Sequence, residues 1–583
     1  MLNKNSENIH PLHLKAPSGK IFVTVYTPAT QADHWVLHFP AFAEEMNKSR
    51  PMISQMARKC NSANYTVLVP DLFGSGDSGG DFSDTTWGMW LADMHYLLQW
   101  AIEQGAEKIT LWGLRVGCLL AANLWTSLDD NVRAKVERLL FWQPVLNGEQ
   151  FSTQFLRLRV AASMMSGEKI TVGGLRKELQ QEGRLEVAGY FLNAHLIEEL
   201  DQQSLKHLMP DPGLVVNWFE VASTKDKPIN MGSHKLIDQW KNLGACAEGV
   251  VVKGEPFWTT QEVVLAPELI RSSMTCIDRD LAGVSLAADK DLSTLNTLQS
   301  DVSERGVIFD CQGQRLVGIA HHSARPNTRG VLMVVGGPQY RIGSHRQFLL
   351  LARDLAESGI PVFRFDYRGM GDSEGVLAGF EHIQQDIRSA IDCFQIQIPG
   401  IKEVVLWGLC DAASASAFYA SSDSRIAGLV LLNPWVRSEQ GEAKAFIKHY
   451  YLRRLLSKAF WQKVLKGDFL VGKSISSLLF NVRRVNHLSS GDDDHSTVVD
   501  RPLGTRVYSG LSLFKGKVLL ILSGNDLTAA EFKDEVNLSR KFKALLKQDR
   551  FQNDNLQEAD HTFSRKTWRD QVSSKTIEWF NSW

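Results

Sequence analysis

One pattern occurs twice in this chain at a fixed separation. Val69-Pro70-Asp71-Leu72-Phe73-Gly74-Ser75-Gly76-Asp77-Ser78 answers to Arg364-Phe365-Asp366-Tyr367-Arg368-Gly369-Met370-Gly371-Asp372-Ser373. Further on, Leu111-Trp112-Gly113-Leu114-Arg115-Val116-Gly117 answers to Leu406-Trp407-Gly408-Leu409-Cys410-Asp411-Ala412. Asp71 stands 295 residues from Asp366, and Arg115 stands 295 residues from Cys410. A spacing kept across a strand, a Gly-rich loop, a helix and a second strand means that one fold is written twice. Two copies are a domain duplication rather than a solenoid. The length of 583 residues agrees, because one core rarely serves more than about 250–300 residues. The boundaries expected are a first domain over 1–270, a linker over 271–303 and a second domain over 304–583.

Each copy opens with an expected hairpin, turning at Pro17-Ser18-Gly19 and at Cys311-Gln312-Gly313. Strands are expected at Trp35–Phe39, Thr66–Pro70, Lys108–Trp112, Arg138–Trp142, Gly213–Glu220 and Gly249–Lys253. Their counterparts are Gly330–Val335, Pro361–Asp366, Glu403–Trp407, Ala427–Leu432 and Lys517–Ser523. Helical patterns lie between them, as at Phe348–Glu357 and Ile383–Phe394. Strands alternating with helices imply an α/β class with a mostly parallel sheet covered on both faces. A long insertion follows the fourth strand of each copy, at 144–212 and 434–515.

Composition narrows the function. A net charge of −1 gives no general attraction to nucleic acid. No apolar run reaches the roughly 18 residues of a membrane span. The polar stretch Met1–Lys20 lacks the apolar core of a secretory signal. Seven scattered cysteines suit a reducing compartment, so a cytoplasmic location is expected. No motif calls for a metal or a cofactor.

Cys410 sits between an apolar run and a small-residue stretch, which reads as strand, sharp turn and helix. That turn resembles the nucleophile elbow of α/β-hydrolases, with a thiol where serine usually stands. The resemblance implies two tandem α/β-hydrolase domains, each with a helical lid insertion over its pocket. An acid and a histidine follow in the expected order, Asp526 after Leu519–Ser523 and His561 in Glu558–Phe563. Asp526 would orient His561, and His561 would take the Cys410 proton and return it to the leaving group. A nearby imidazole is also expected to favour the thiolate. The backbone N–H of Asp411 is one oxyanion donor. The other must come from Gly336–Tyr340, where Pro338 has no N–H, leaving Gln339 or Gly337. Asp411 can repel a thiolate or simply sit favourably in the first turn of a helix.

The first copy lacks these parts. Arg115 replaces the nucleophile and stays protonated. No histidine follows His234, and the stretch where one belongs reads Val252–Trp258. Two readings of Arg115 stay open: it binds a carboxylate or phosphate, or it pairs internally with Asp77, Glu44 or Glu45.

Phe39–Arg50, Pro70–Ser78 and Trp112–Arg115 resemble exosortase A system-associated hydrolase 2. Gly336–Arg341, Gly343–Arg346, Phe365–Ser373, Gly408–Ser414 and Leu432–Glu439 resemble exosortase A system-associated hydrolase 1. The resemblance implies a bacterial fusion of two proteins tied to exopolysaccharide biosynthesis and the PEP-CTERM sorting system. It implies no defined substrate.

From Lys444 to Arg484 there are ten Lys or Arg residues against one acid, Asp468, with aromatics interleaved. Such a segment covers a pocket, grips an anionic substrate or lies on an anionic membrane, so peripheral contact at the inner membrane is one expectation. The favoured function is an ester or thioester hydrolase, or an acyltransferase, working on an acylated small molecule or a glycan- or lipid-linked substrate. The alternative is a non-enzymatic scaffold for assembly at the membrane.

Overall fold

Strands whose side chains are buried on both faces can only be central strands of a covered sheet, and His34–Phe39 and Thr66–Asp71 are buried at every position. They lie in the first of two eight-stranded sheets. The structure is a computed structural model that describes residues 8–30, 32–166, 169–278, 303–324, 327–436 and 502–583. The first sheet comprises β1 (Asn8–Ala16), β2 (Gly19–Thr27), β3 (His34–Phe39), β4 (Thr66–Asp71), β5 (Lys108–Leu114), β6 (Val136–Trp142), β9 (Val215–Ala222) and β10 (Cys246–Lys253). The strands β7 (Arg184–Val187) and β8 (Tyr190–Asn193) form a separate antiparallel pair. The second sheet comprises β11 (Glu304–Cys311), β12 (Gln314–His321), β13 (Arg329–Val334), β14 (Val362–Phe365), β15 (Glu403–Leu409), β16 (Ile426–Leu432), β17 (Lys517–Ser523) and β18 (Phe551–Leu556).

The strand orders are β1-β2-β4-β3-β5-β6-β9-β10 and β11-β12-β14-β13-β15-β16-β17-β18. Rank for rank they are one topology. The opening hairpin of each copy pairs antiparallel with its neighbour, β2 with β4 and β12 with β14. From β3 to β10, and across β16, β17 and β18, the pairing is parallel. Helices cover the sheets, among them Glu44–Ser62 and Gly117–Ser127 in the first copy and Gln347–Glu357 and Asp411–Tyr419 in the second. These are two tandem α/β-hydrolase folds.

The insertion over 144–212 contains the helices Gly148–Ser166, Val172–Glu182 and Ala194–Asp201 and the β7–β8 pair. Its Leu156, Leu175, Leu192 and Leu200 are buried in the same core as Leu111 and Leu139 of the sheet. The helix Pro267–Asp278 enters the segment read as linker. Positions 279–302 of that segment lie outside the described residues, as do 437–501 of the second insertion with its basic stretch.

The chain parts into two compact units, residues 1–404 with 563–583, and residues 405–562. The first unit holds the whole first copy and the opening of the second. Within it, buried charges tie the duplicated Gly-rich loops together. Asp71 accepts the N–H of Asp77 at 2.8 Å, and Asp366 accepts that of Asp372 at 3.0 Å, so both loops close alike. A Cβ on Gly76 or Gly371 would fall within 2.1–2.2 Å of the Asp71 or Asp366 carboxylate, and both glycines have positive φ. Arg341 of the second copy reaches Asp77 of the first at 2.8 Å and its own Asp366 at 2.7 Å. Every one of these side chains is buried.

Candidate active site

Cys410 joins β15 to the helix Asp411–Tyr419 at φ 61° and ψ −122°. Such a backbone is costly for a residue with a Cβ, by about 1–3 kcal/mol, and persists only where neighbours impose it. Here the Cys410 N–H donates to the Leu432 carbonyl at 2.8 Å, and its own carbonyl accepts from Trp435 N–H at 3.2 Å. Gly408 makes the turn tight, since a Cβ there would lie 2.7 Å from the Ala412 carbonyl carbon.

The same elbow exists in the first copy with a different side chain. Arg115 has φ 56°, donates to Trp142 O at 3.0 Å and accepts from Val145 N–H at 3.3 Å. The turn is thus a property of the fold, and the residue on it decides the chemistry.

Asp526 follows β17 and caps the helix Leu527–Leu538. Its Oδ1 accepts from Thr528 N–H at 3.2 Å and its Oδ2 from Ala529 N–H at 2.9 Å. The same Oδ2 lies 3.0 Å from Nδ1 of His561. The structure therefore brings the expected acid and histidine together. His561 lies in the loop after β18, and that loop is pinned from beneath. Asn525 N–H donates to Ala559 O at 3.0 Å, and Ser523 Oγ donates to Asp560 O at 2.9 Å.

The sequence reading assigned no role to Asn433, which organises this side of the site. It is fully buried at φ 44° directly after β16. Its Oδ1 accepts from Ser523 N–H at 2.8 Å, and its Nδ2 donates to Ser523 Oγ at 2.7 Å and to the His561 carbonyl at 3.0 Å. The preceding residue, Leu432, holds Cys410 N–H. One dipeptide thus supports both the elbow and the histidine loop. Its sequence signal was the Asn-Pro step at 433–434, which marks a turn but not this role. In the first copy Gln143 occupies the equivalent place at φ 44°, and its Oε1 accepts from Val221 N–H at 2.7 Å.

Charge in the site is uneven. Burial works against the Asp526 carboxylate, yet His561 and the two helix N–H groups hold it below its ordinary range. Burial opposes charge on His561 as well, but Asp526, with smaller help from Asp411 and Asp560, raises it above 6.5. For Cys410, burial first and then Asp411 and Asp526 push the thiol well above 9, with only the Asp411 N–H acting the other way. The structure favours a neutral thiol, because two carboxylates and a low-dielectric setting outweigh one backbone donor.

The two expected oxyanion residues are placed separately. Asp411 begins the elbow helix, and its Oδ1 accepts from Ala412 N–H at 2.9 Å. Gln339 is half-buried in the loop after β13. The N–H groups of Tyr340 and Arg341 beside it are taken by Asn47 and Asp366, while that of Gln339 has no partner among the described residues.

Of the internal partners open to Arg115, the structure selects Glu45, whose Oε1 lies 3.2 Å from Arg115 Nε. Asp77 is instead taken by Arg341 and Arg364. Trp258, in the stretch where a histidine belongs, lies with its ring centroid 5.5 Å from the guanidinium. Among the described residues no cluster of His, Cys, Asp or Glu is placed to hold a metal ion, and no helix is long and apolar enough to cross a membrane.

Residues 326–489 match the model of a hydrolase family described as serine aminopeptidase, S33. No curated protein matches the chain. Among solved structures, an esterase of Pyrococcus furiosus is similar at 13% identity over 52% of this chain and 97% of its own, with a TM-score of 0.34. A putative α/β hydrolase of Agrobacterium tumefaciens is similar at 17% identity over 48% of this chain and 95% of its own, with a TM-score of 0.29. An α/β serine hydrolase without a lid from Xanthomonas campestris is similar at 14% identity over 48% of this chain and 96% of its own, with a TM-score of 0.29. The matched residues fall within the second copy, which is similar to hydrolases of this family.

Proposed function

We propose that the second copy cleaves or transfers acyl groups through a thioacyl intermediate on Cys410, with ester or thioester substrates. The observations that carry this reading are an elbow cysteine at φ 61° and a His561–Asp526 pair 3.0 Å apart, following successive strands of the same sheet. The raised thiol makes proton removal part of the attack. His561 Nε2 takes the proton as Sγ bonds to the carbonyl carbon, and Asp526 stabilises the imidazolium that forms. The carbonyl oxygen becomes an oxyanion, held by the N–H of Asp411. Collapse breaks the bond to the leaving alkoxide or thiolate, which receives the His561 proton. Water or an alcohol then attacks the thioacyl carbon, giving its proton to His561, and Sγ leaves and is reprotonated. The first copy, with Arg115 on its elbow, takes no part in this chemistry.

The sequence resemblance supports acyl transfer to or from a glycan or its lipid-linked precursor in exopolysaccharide production, linked to the exosortase and PEP-CTERM system. We place the protein in the cytoplasm at the inner face of the membrane, with the basic segment 444–484 as the peripheral contact. The test is intact-mass analysis of the full chain mixed with a short-chain thioester. An acyl adduct mapping to Cys410, lost in Cys410→Ala, supports the reading. Equal turnover by Cys410→Ala overturns it. Cys246, which is exposed, serves as the control for nonspecific acylation.

A further inference from the structure

Above the first elbow lies a cavity of about 260 Å³ whose lining includes Arg115, Gln143, Asn147, Gln150, Gln154 and Asn230. It has the elbow without a nucleophile, and three amides in its wall have their oxygens engaged and, among the described residues, their nitrogens open. Gln143 Oε1 accepts from Val221 N–H at 2.7 Å, Asn147 Oδ1 from Gln150 N–H at 2.9 Å, and Asn230 Oδ1 from Gly232 N–H at 2.9 Å. The three oxygens are therefore occupied. The three amide nitrogens, and Nη2 of Arg115, have no partner among the described residues. Glu220, the carboxylate in the wall, is already satisfied, accepting from Trp218 Nε1 at 3.2 Å and Asn230 N–H at 2.8 Å.

Donors in excess select an acceptor-rich ligand. Two long helices, Gly148–Ser166 and Met231–Asn242, also begin at this wall and add positive potential. Glu45 pairs with Arg115 and Glu220 stands in the wall, so the positive potential comes from the helix ends and the open N–H groups rather than from net side-chain charge. That balance suits one negative charge better than two. The exposed side chains of Gln150 and Gln154 at the rim carry no bonds of their own and can exchange donors and acceptors with hydroxyls.

We propose that this cavity binds a small hydroxylated monocarboxylate of the sugar-acid class, with its carboxylate on Arg115 and the Gln143, Asn147 and Asn230 amides. The open Nη2 of Arg115 and the amide N–H groups suit a carboxylate. This goes beyond the acyl chemistry of the second copy and does not depend on it.

Isothermal titration of the full chain with D-glucuronate, D-glucose and inorganic phosphate tests the proposal. The expected result is saturable binding of glucuronate, none of glucose and weaker binding of phosphate. Arg115→Met should weaken glucuronate binding at least tenfold. Glu45→Gln should tighten it several-fold by freeing the guanidinium. Gln154→Glu, on an exposed helix face and harmless to folding, should weaken it several-fold by charge repulsion. No saturable binding of glucuronate, tighter binding of phosphate, or binding unchanged in both Arg115→Met and Gln154→Glu overturns the proposal. No turnover is read, so failure here leaves the Cys410 reading standing.

Discussion

Arg50 of the first copy grips Asp372 of the second with two parallel bonds, Nε to Oδ1 and Nη2 to Oδ2, both 2.8 Å long. Its Nη1 lies 2.6 Å from Asp71 of its own copy. Burial works against the charge on Asp372, but Arg50 and Arg341 hold its carboxyl well below the usual range. Removing that charge takes one buried carboxylate partner from each of two guanidiniums, leaving Arg50 with Asp71 and Arg341 with Asp77 and Asp366. Asp372→Asn should therefore cost about 3–5 kcal/mol of stability. The double variant Arg50→Met/Asp372→Leu should cost less than the sum of the two single changes. Chemical denaturation of the four proteins checks both statements. The wild-type advantage should be full above about pH 4, the unfolded carboxylate range, and fade as pH falls below it.

This clamp was the least legible part of the molecule in its sequence, and the reason is physical. Asp71, Asp77, Asp366 and Asp372 were visible as a repeated motif, but a motif does not say which cation answers each carboxylate. Arg50 and Arg341 sit outside the repeated segments and meet those carboxylates only through the tertiary fold. β18 was missed for a related reason. Phe-Gln-Asn-Asp-Asn-Leu is polar because it is the edge strand, with four of its six residues partly or fully exposed, so no apolar pattern marks it. By contrast, the strands around the elbows were readable because burial on both faces writes a continuous apolar run. Asp526 and His561 were readable because their order and their places after strands are fixed by the fold.

His38 offers a pH test of the first core. It is buried, donates from Nδ1 to the Trp112 carbonyl at 3.1 Å, and has its pKa pushed down to about 3, by burial first and then by Arg50. The unfolded imidazole takes up a proton near pH 6.5 that the folded one refuses until about pH 3. Its effect is therefore absent above pH 6.5, and destabilisation grows as pH falls between those values. His38→Gln should remove roughly 1.4 kcal/mol of that loss per pH unit across the window. Paired denaturation curves at pH 7 and pH 5 would show it as a variant less sensitive to acid than the wild type.

In the proposed mechanism His561 accepts the Cys410 proton and so must be neutral, and its pKa is raised above 6.5. Thioester turnover should therefore climb with pH through a midpoint above 6.5. His561→Ala should lower turnover by about 10²–10⁴-fold, the usual range for losing a general base, and should remove that limb of the profile. Asp526→Asn should lower turnover as well and bring the midpoint down, because the main group raising His561 is gone. A profile identical to wild type in Asp526→Asn would contradict the pairing.

Asn433 acts through the backbone and touches no reacting atom. Asn433→Ala leaves Ser523 N–H and the His561 carbonyl without their buried partner, which costs about 1–3 kcal/mol in stability. A purely structural role would stop there. As a positioning residue it should also lower kcat by about tenfold with little change in KM, measured on the folded fraction at a temperature well below melting.

Asp411 separates the two charge effects at the elbow. It raises the Cys410 thiol and also helps to raise His561. Asp411→Asn keeps the side-chain size and the backbone N–H proposed to serve the oxyanion. It should lower both pKa values together. Iodoacetamide labelling of Cys410 at pH 8 should become faster relative to exposed Cys246, because more thiolate is present. At the same time the acid limb of thioester turnover should move to lower pH. Faster labelling with an unmoved acid limb would mean that Asp411 senses the thiol alone, and that His561 owes its raised pKa to Asp526 and Asp560.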